Sequence, residues 1–152
     1  MDAIKLLKTD HKLVKELLTQ LEETSERATK KRATLLHEIQ VNLKAHTTIE
    51  EEIFYPAFKA AGRKDEAKMY FEALEEHRAA EDLVLPDLLN TDPGSVEFSG
   101  RAKVLKELIE HHADEEEKEM FKDAKELLSK EELAELGAQM EARKAEVMAS
   151  FA

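Results

Sequence analysis

The sequence predicts an all-α chain, an up-down-up-down antiparallel four-helix bundle with an additional C-terminal helix. Three observations carry this. Ala, Leu, Glu and Lys dominate, while the 152 residues include only 4 Gly, 3 Pro and no Trp, so helix formers are abundant and breakers scarce. Apolar residues recur every three or four positions in five runs, the period of a helix that buries one face. The runs are long and the gaps short, which makes consecutive helices antiparallel neighbours.

The first helix runs from Asp2, a good N-cap, to about Arg27, with the stripe Ile4, Leu7, Val14, Leu18 and Leu21. The second covers about Lys31 to Ala61, with Leu36, Ile39, Leu43, Ile53 and Ala57, and stops at Gly62, the residue type usual just past a helix end. The third spans about Lys64 to Leu89, with Tyr70, Leu74, Val84 and Leu88, and ends in the loop Asn90-Thr91-Asp92-Pro93-Gly94-Ser95. The fourth runs from about Glu97 to Leu128, with Leu105, Ile109 and Met120. A capping box, Ser129-Lys130-Glu131-Glu132, opens the fifth, which carries Leu133, Leu136, Met140 and Val147. Residues 1–128 therefore form the bundle, and residues 129–152 form a helix packed on the same domain. Pro56 and Pro86 fall inside the second and third helices, where each should kink its helix and free the carbonyl four residues earlier.

Composition removes several functions. With 42% hydrophobic and 38% charged residues the chain is globular rather than disordered. A formal net charge of −11 repels nucleic acid and anionic membrane surfaces. There is no Cys, hence neither disulfides nor thiolate metal sites. The start Met1-Asp2-Ala3-Ile4-Lys5 lacks the order of a signal peptide, and no apolar stretch is long enough to span a membrane. A cytoplasmic monomer or homodimer is the expectation.

Histidines interrupt the first four stripes. His11 lies between Leu7 and Val14, and His46 between Leu43 and Ile53 with Glu50 one turn on. His77 lies between Leu74 and Val84, followed by Glu81, and His112 follows Ile109 with Glu116 one turn on. The separations are 35, 31 and 35 residues, and their midpoints fall at about Ala28, between Ala61 and Gly62, and between Gly94 and Ser95. Those are the three turns, and residues equidistant from an antiparallel turn share one height. All four histidines should meet at one level.

An internal repeat supports this. A shift of 66 residues carries His11 to His77, His46 to His112, Glu50 to Glu116 and Tyr55 to Phe121. Two hairpins related by a pseudo-two-fold each supply one His and one His-x-x-x-Glu pair, which projects from a single helix face. A lone core histidine is usually a satisfied structural residue. Four imidazoles and two carboxylates at one level are different, since each unpaired buried polar group costs about 1–3 kcal/mol and a domain has only about 5–15 kcal/mol of stability. A metal pair takes up all their lone pairs. The candidate ligands are His11, His46, Glu50, His77, His112 and Glu116. His111 cannot share the face of His112, and His37 lies off the stripe. Glu115 and Glu117 flank Glu116, and the repeat selects Glu116. Glu81 is on the core stripe but matches Lys15 in the repeat, so it is open between ligand and outer-layer group. Phe54, Tyr55 and Tyr70 read as core or rim aromatics.

Imidazole and carboxylate without sulfur suit Fe, Mn or Zn, and six ligands exceed one tetrahedral zinc site. Ferritin-like bundles use Glu-x-x-His; no histidine here has an acid three residues before it. The pattern Asp10-His11, His46-Thr-Thr-Ile-Glu50-Glu-Glu-Ile-Phe-Tyr-Pro56, Glu76-His77 and His112-Ala-Asp-Glu-Glu116 resembles instead the hemerythrin-like (HHE cation-binding) family over about residues 1–128. The resemblance implies a non-haem di-iron centre bridged by Glu50 and Glu116, with Mn or Zn as substitutes, that binds, senses or reacts with O₂, peroxide or NO. It departs from the oxygen carriers of the family at Ala73, where those have a further histidine, and at Glu116, where they have an aspartate. Two alternatives of other classes are a histidine phosphotransfer bundle, for which His37 is the candidate, and a metal-free helical interaction bundle.

Overall fold

The computed structural model describes residues 1–152 as five helices. These are α1 (Ala3–Glu22), α2 (residues 29–61), α3 (residues 64–89), α4 (residues 96–127) and α5 (Lys130–Ala149). The first four run up-down-up-down, and α5 lies against α1 and α2. None is long and apolar enough to cross a membrane.

Local chemistry sets the ends. Asp2 accepts the Lys5 N–H at 2.8 Å, Ser95 caps α4, and Ser129 with Glu132 forms the expected capping box of α5. Helix α1 stops at Glu22, short of Arg27, because the Thr24 backbone is committed elsewhere. Its carbonyl accepts from the guanidinium of Arg32 at 3.1 Å, and Arg32 also reaches Pro93 O at 2.7 Å and Ser99 Oγ at 2.8 Å. Buried Arg32 thus ties the two loops at one end of the bundle. Gly62 ends α2, but with extended backbone (φ −98°, ψ −170°) rather than left-handed. Its requirement is space, since a Cβ there would lie 2.4 Å from the Cβ of Glu66, whose carboxylate caps the N–H of Arg63. Gly137 is the other close approach. A Cβ at this position would lie 2.2 Å from Met1 O, so the glycine lets the N-terminus cross α5.

The larger departure from regular periodicity is inside the helices. Each of α2, α3 and α4 contains a π-helical stretch, Glu50–Phe54, Arg78–Val84 and Glu116–Met120. The N–H groups of Tyr55, Leu85 and Phe121 there bond to the carbonyls of Glu50, Ala80 and Glu116, the i→i+5 pattern that favours functional sites. Pro56 and Pro86 are each the second residue of the α-helix resumed after such a stretch. The stretch in α4 has no proline, so proline is not the common cause. The wide turn rotates the remainder of each helix about its axis. Beyond it α2 buries Phe54, Tyr55 and Phe58 instead of the expected Ile53 and Ala57, and α3 buries Leu85 rather than Val84.

The core falls into two clusters of 15 buried residues each. One gathers Leu7, Phe54, Phe58, Phe121 and Met140 around the α5 side. The other gathers Leu18, Ile39, Leu88, Phe98 and Leu105 toward the Arg32 end. A polar layer separates them.

Candidate metal centre

The structure brings all six predicted residues into that layer. His11, His46 and His77 are 4–5% exposed, Glu50 is 0% and Glu116 3% exposed, and His112 is slightly more open. His11, His46, Glu50 and Glu116 offer ligand atoms all within 4.8 Å of one another, and so do Glu50, His77 and His112. Two donor groups therefore share the Glu50 carboxylate. The Nε2 atoms of His46 and His77 lie 3.2 and 3.1 Å from Glu50 Oε1. Those of His11 and His112 lie 3.0 Å and 3.3 Å from Glu116 Oε1 and Oε2.

The donor set fits a cation. His11 Nε2, His46 Nε2, both oxygens of Glu50 and Glu116 Oε1 are buried without a hydrogen-bond partner. These atoms are about 3 Å apart yet not in hydrogen-bonding geometry, because each imidazole is held from its other nitrogen and turns an Nε2 lone pair inward. Lone pairs facing lone pairs in a dry interior are costly, and positive charge between them removes the cost.

Four carboxylates that spacing alone does not place at the site hold the rings. Asp10 Oδ2 is 2.9 Å from His46 Nδ1, and Glu51 Oε2 is 2.7 Å from His77 Nδ1. Glu76 Oε1 is 2.6 Å from His112 Nδ1, and Glu117 Oε2 is 2.7 Å from His11 Nδ1. Each helix thus offers a carboxylate to the histidine of the next, α1 to α2, α2 to α3, α3 to α4 and α4 back to α1. Such partners fix the tautomer and orientation of metal-binding histidines. A signal exists in the sequence. Each carboxylate is adjacent to a candidate ligand, and the 66-residue shift carries Asp10 to Glu76 and Glu51 to Glu117.

Electrostatics agree. Burial opposes charge on His46, but the charge of Glu50, the hydrogen bond to Asp10 and the charge of Asp10 outweigh it and push the imidazole up to about 10. Burial likewise opposes charge on His77, and Glu50 with Glu51 raises it to about 9.

Tyr55 is not merely a core aromatic. Fully buried, it donates from its hydroxyl to Glu116 Oε2, and the hydroxyl oxygen of Tyr55 is 3.2 Å from Nε2 of both His77 and His112. Burial and the charges of Glu116 and Glu50 raise its phenol well above the ordinary value, so it stays protonated. Its ring stacks on His77 with centroids 5.5 Å apart. At the corresponding place in the other half, Phe121 stacks on His11 at 5.8 Å. The pseudo-two-fold is broken here by one hydroxyl.

Glu81 lies outside both donor groups. It accepts from Thr47 Oγ1 at 2.9 Å, and burial raises its carboxyl to about 7 against the opposing charge of His77. His37 is exposed beside Phe151 (ring centroids 6.5 Å). His111 points outward to Glu115 at 2.9 Å.

An antiparallel bundle with a buried imidazole and carboxylate layer defines a helical metal-binding protein. More narrowly, the chain belongs to the hemerythrin family, since the model of the Hemerythrin HHE cation binding domain matches residues 2–124. It is 32% identical over 144 residues to uncharacterized proteins of Mycobacterium tuberculosis (Rv2633c) and Mycobacterium bovis, covering 94% of this chain and 85% of theirs. The crystal structure of a hemerythrin HHE cation binding domain-containing protein from Mycobacterium kansasii, an Rv2633c homolog, superposes with a TM-score of 0.85 at 32% identity, covering 99% of this chain and 89% of that one. A DNA nickase of Nostoc is 26% identical over 143 residues, which is 93% of this chain but 39% of that protein.

Proposed function

We propose that His11, His46, Glu50, His77, His112 and Glu116 hold two iron ions with Glu50 and Glu116 between them, and that the centre binds, senses or reacts with O₂, peroxide or NO. The observation that carries this reading is the pair of donor groups sharing Glu50, with unpartnered buried atoms facing inward. A redox-active ion pair supplies electrons and open coordination positions for such ligands; Mn or Zn would fill the same donors.

The protein's own groups do the rest. Asp10, Glu51, Glu76 and Glu117 keep each Nδ1 as the donor and turn each Nε2 toward the layer. A cavity of about 30 Å³ adjoins the four histidines and is otherwise lined by such residues as Val14, Leu43, Ala80 and Ile109. It has room for a molecule the size of water or a diatomic. Tyr55 holds a proton beside Glu116, His77 and His112, a local source for one of the two protons that two-electron reduction of a peroxide would take up. The acidic chain, with net charge −11, suits neither nucleic acid nor an anionic membrane as a partner, and we place it in the cytoplasm as a monomer or homodimer.

The test is the metal content of protein purified without added metal, beside a His46→Ala, His112→Ala double variant. About two iron atoms per chain, lost in the variant, is the expected result. Spectra of the loaded protein under O₂, peroxide and NO then separate binding from turnover. A metal-free protein, with the variant equally stable, would leave a polar-core interaction bundle or phosphotransfer through His37 instead.

A further inference from the structure

The four carboxylates that hold the histidines are not equivalent. The side chains of Glu51, Glu76 and Glu117 are 42%, 31% and 33% exposed, so water compensates their charge. The side chain of Asp10 is 5% exposed. Its compensation comes from the fifth helix, where Lys144 Nζ lies 2.5 Å from Asp10 Oδ1. The two oxygens divide the work, Oδ1 to the ammonium and Oδ2 to His46 Nδ1 at 2.9 Å. Lys144 is itself half-buried, at 22% side-chain exposure, and it lies beyond the two repeated hairpins.

We propose that Lys144 is a positioning residue of the metal centre, acting through Asp10 to fix the His46 ring, so that α5 serves one of the two metal positions and not the other. The inference rests on the metal-centre reading above. A carboxylate bound at one oxygen by a cation presents its second oxygen in a defined direction. Without the ammonium, Asp10 is a buried charge with a single partner, and the plane in which it accepts from His46 is unconstrained. His46 belongs to the donor group of His11, Glu50 and Glu116, whereas His77 and His112 belong to the other and rest on carboxylates that water reaches. Looser positioning should therefore be felt at one ion.

The experiment loads the full-length protein anaerobically with ferrous iron and follows release to a chelator, in wild type, Lys144→Met, Lys144→Arg and Arg143→Met. The last removes a surface ion pair of α5, Arg143 to Glu52 at 3.1 Å, that does not reach the ring of histidines. Release in two phases is expected. Lys144→Met should speed one phase on the order of 10-fold, the lower end for residues behind metal ligands, and leave the other unchanged. Lys144→Arg should restore it, and Arg143→Met should not imitate it. Equal rates in Lys144→Met and wild type overturn the proposal, as does equal acceleration of both phases with a matching fall in Tm. If Lys144→Met does not fold, Lys144→Gln, which keeps a hydrogen bond without the charge, is read by the same criteria. A wild-type protein that takes up no iron overturns the metal-centre reading and this inference with it, whereas a loaded wild type with unaltered variants overturns this inference alone.

Discussion

Glu117 Oε2 lies 2.7 Å from His11 Nδ1 although 106 residues separate them, and this contact joins the fourth helix back to the first. It closes the circuit of carboxylate–imidazole pairs begun by Asp10 and His46. Glu117→Ala should weaken metal binding by about 10–100-fold while leaving helical content unchanged, because the residue is partly exposed and belongs to no apolar cluster. Competition titration with a chromophoric chelator, alongside circular dichroism, measures both; unchanged affinity would show that His11 needs no such partner.

The raised imidazoles fix the sign of a pH effect. In the metal-free protein His46 titrates at about 10 and His77 at about 9, against about 6.5 in an unfolded chain. A folded-state value above the unfolded one contributes stability that is fully present below pH 6.5 and lost as pH rises toward 9–10. Thermal melts of chelator-treated protein should therefore show Tm falling between pH 7 and 10. Metal binding has the opposite trend, since the same protons must leave, so affinity should rise across that window. Flat stability of the metal-free protein would contradict the assignment.

Glu81 gives a separate handle away from the ligands. Its carboxyl is raised from 4.5 to about 7, so the folded state resists its ionisation, and stability falls as pH climbs from about 4.5 through 7. The shift corresponds to roughly 3 kcal/mol at most. In the metal-free protein, Glu81→Gln should raise Tm relative to wild type at pH 8 and change it little at pH 4.5, with a gain of about 1–3 kcal/mol. No pH-dependent difference between the two would remove Glu81 from the buried layer.

Gly137→Ala opposes two effects. Ala is the better helix former by about 1 kcal/mol, but the new Cβ would sit 2.2 Å from Met1 O and 2.8 Å from the carbonyl carbon of Asp2. Backbone cannot give way as a side-chain tip can, so we expect a net loss of about 1–3 kcal/mol by urea unfolding. A stabilised variant would mean that the N-terminus does not cross α5 there.

The four-helix order, the antiparallel packing and the common level of His11, His46, His77 and His112 are all legible in the sequence, because turn symmetry and helical period are properties of spacing. The carboxylate partners are not, because a hydrogen bond between neighbouring helices has no fixed sequence offset; only the repeat of Asp10 onto Glu76 and Glu51 onto Glu117 hints at it. Phe54, Tyr55 and Phe58 escape the apolar stripe for another reason. A strict 3.6-residue period carried through residues 50–54 selects Ile53 and Ala57, but the chain makes a wider turn there. The same offset hides Tyr55, whose hydroxyl enters the layer, among the core and rim aromatics.

Those wide turns set helix integrity against the centre. Each acts as one surplus residue in an otherwise regular helix, so deleting a single residue between Glu50 and Phe54 would restore continuous α-helical bonding there. The remainder of α2 would keep its facing, because Phe54 and Phe58 already occupy the places that a strict helical period gives Ile53 and Ala57. What would change is the local backbone that carries Glu50 and Glu51, so the cost of a more regular helix would fall on the metal and not on the aromatic core.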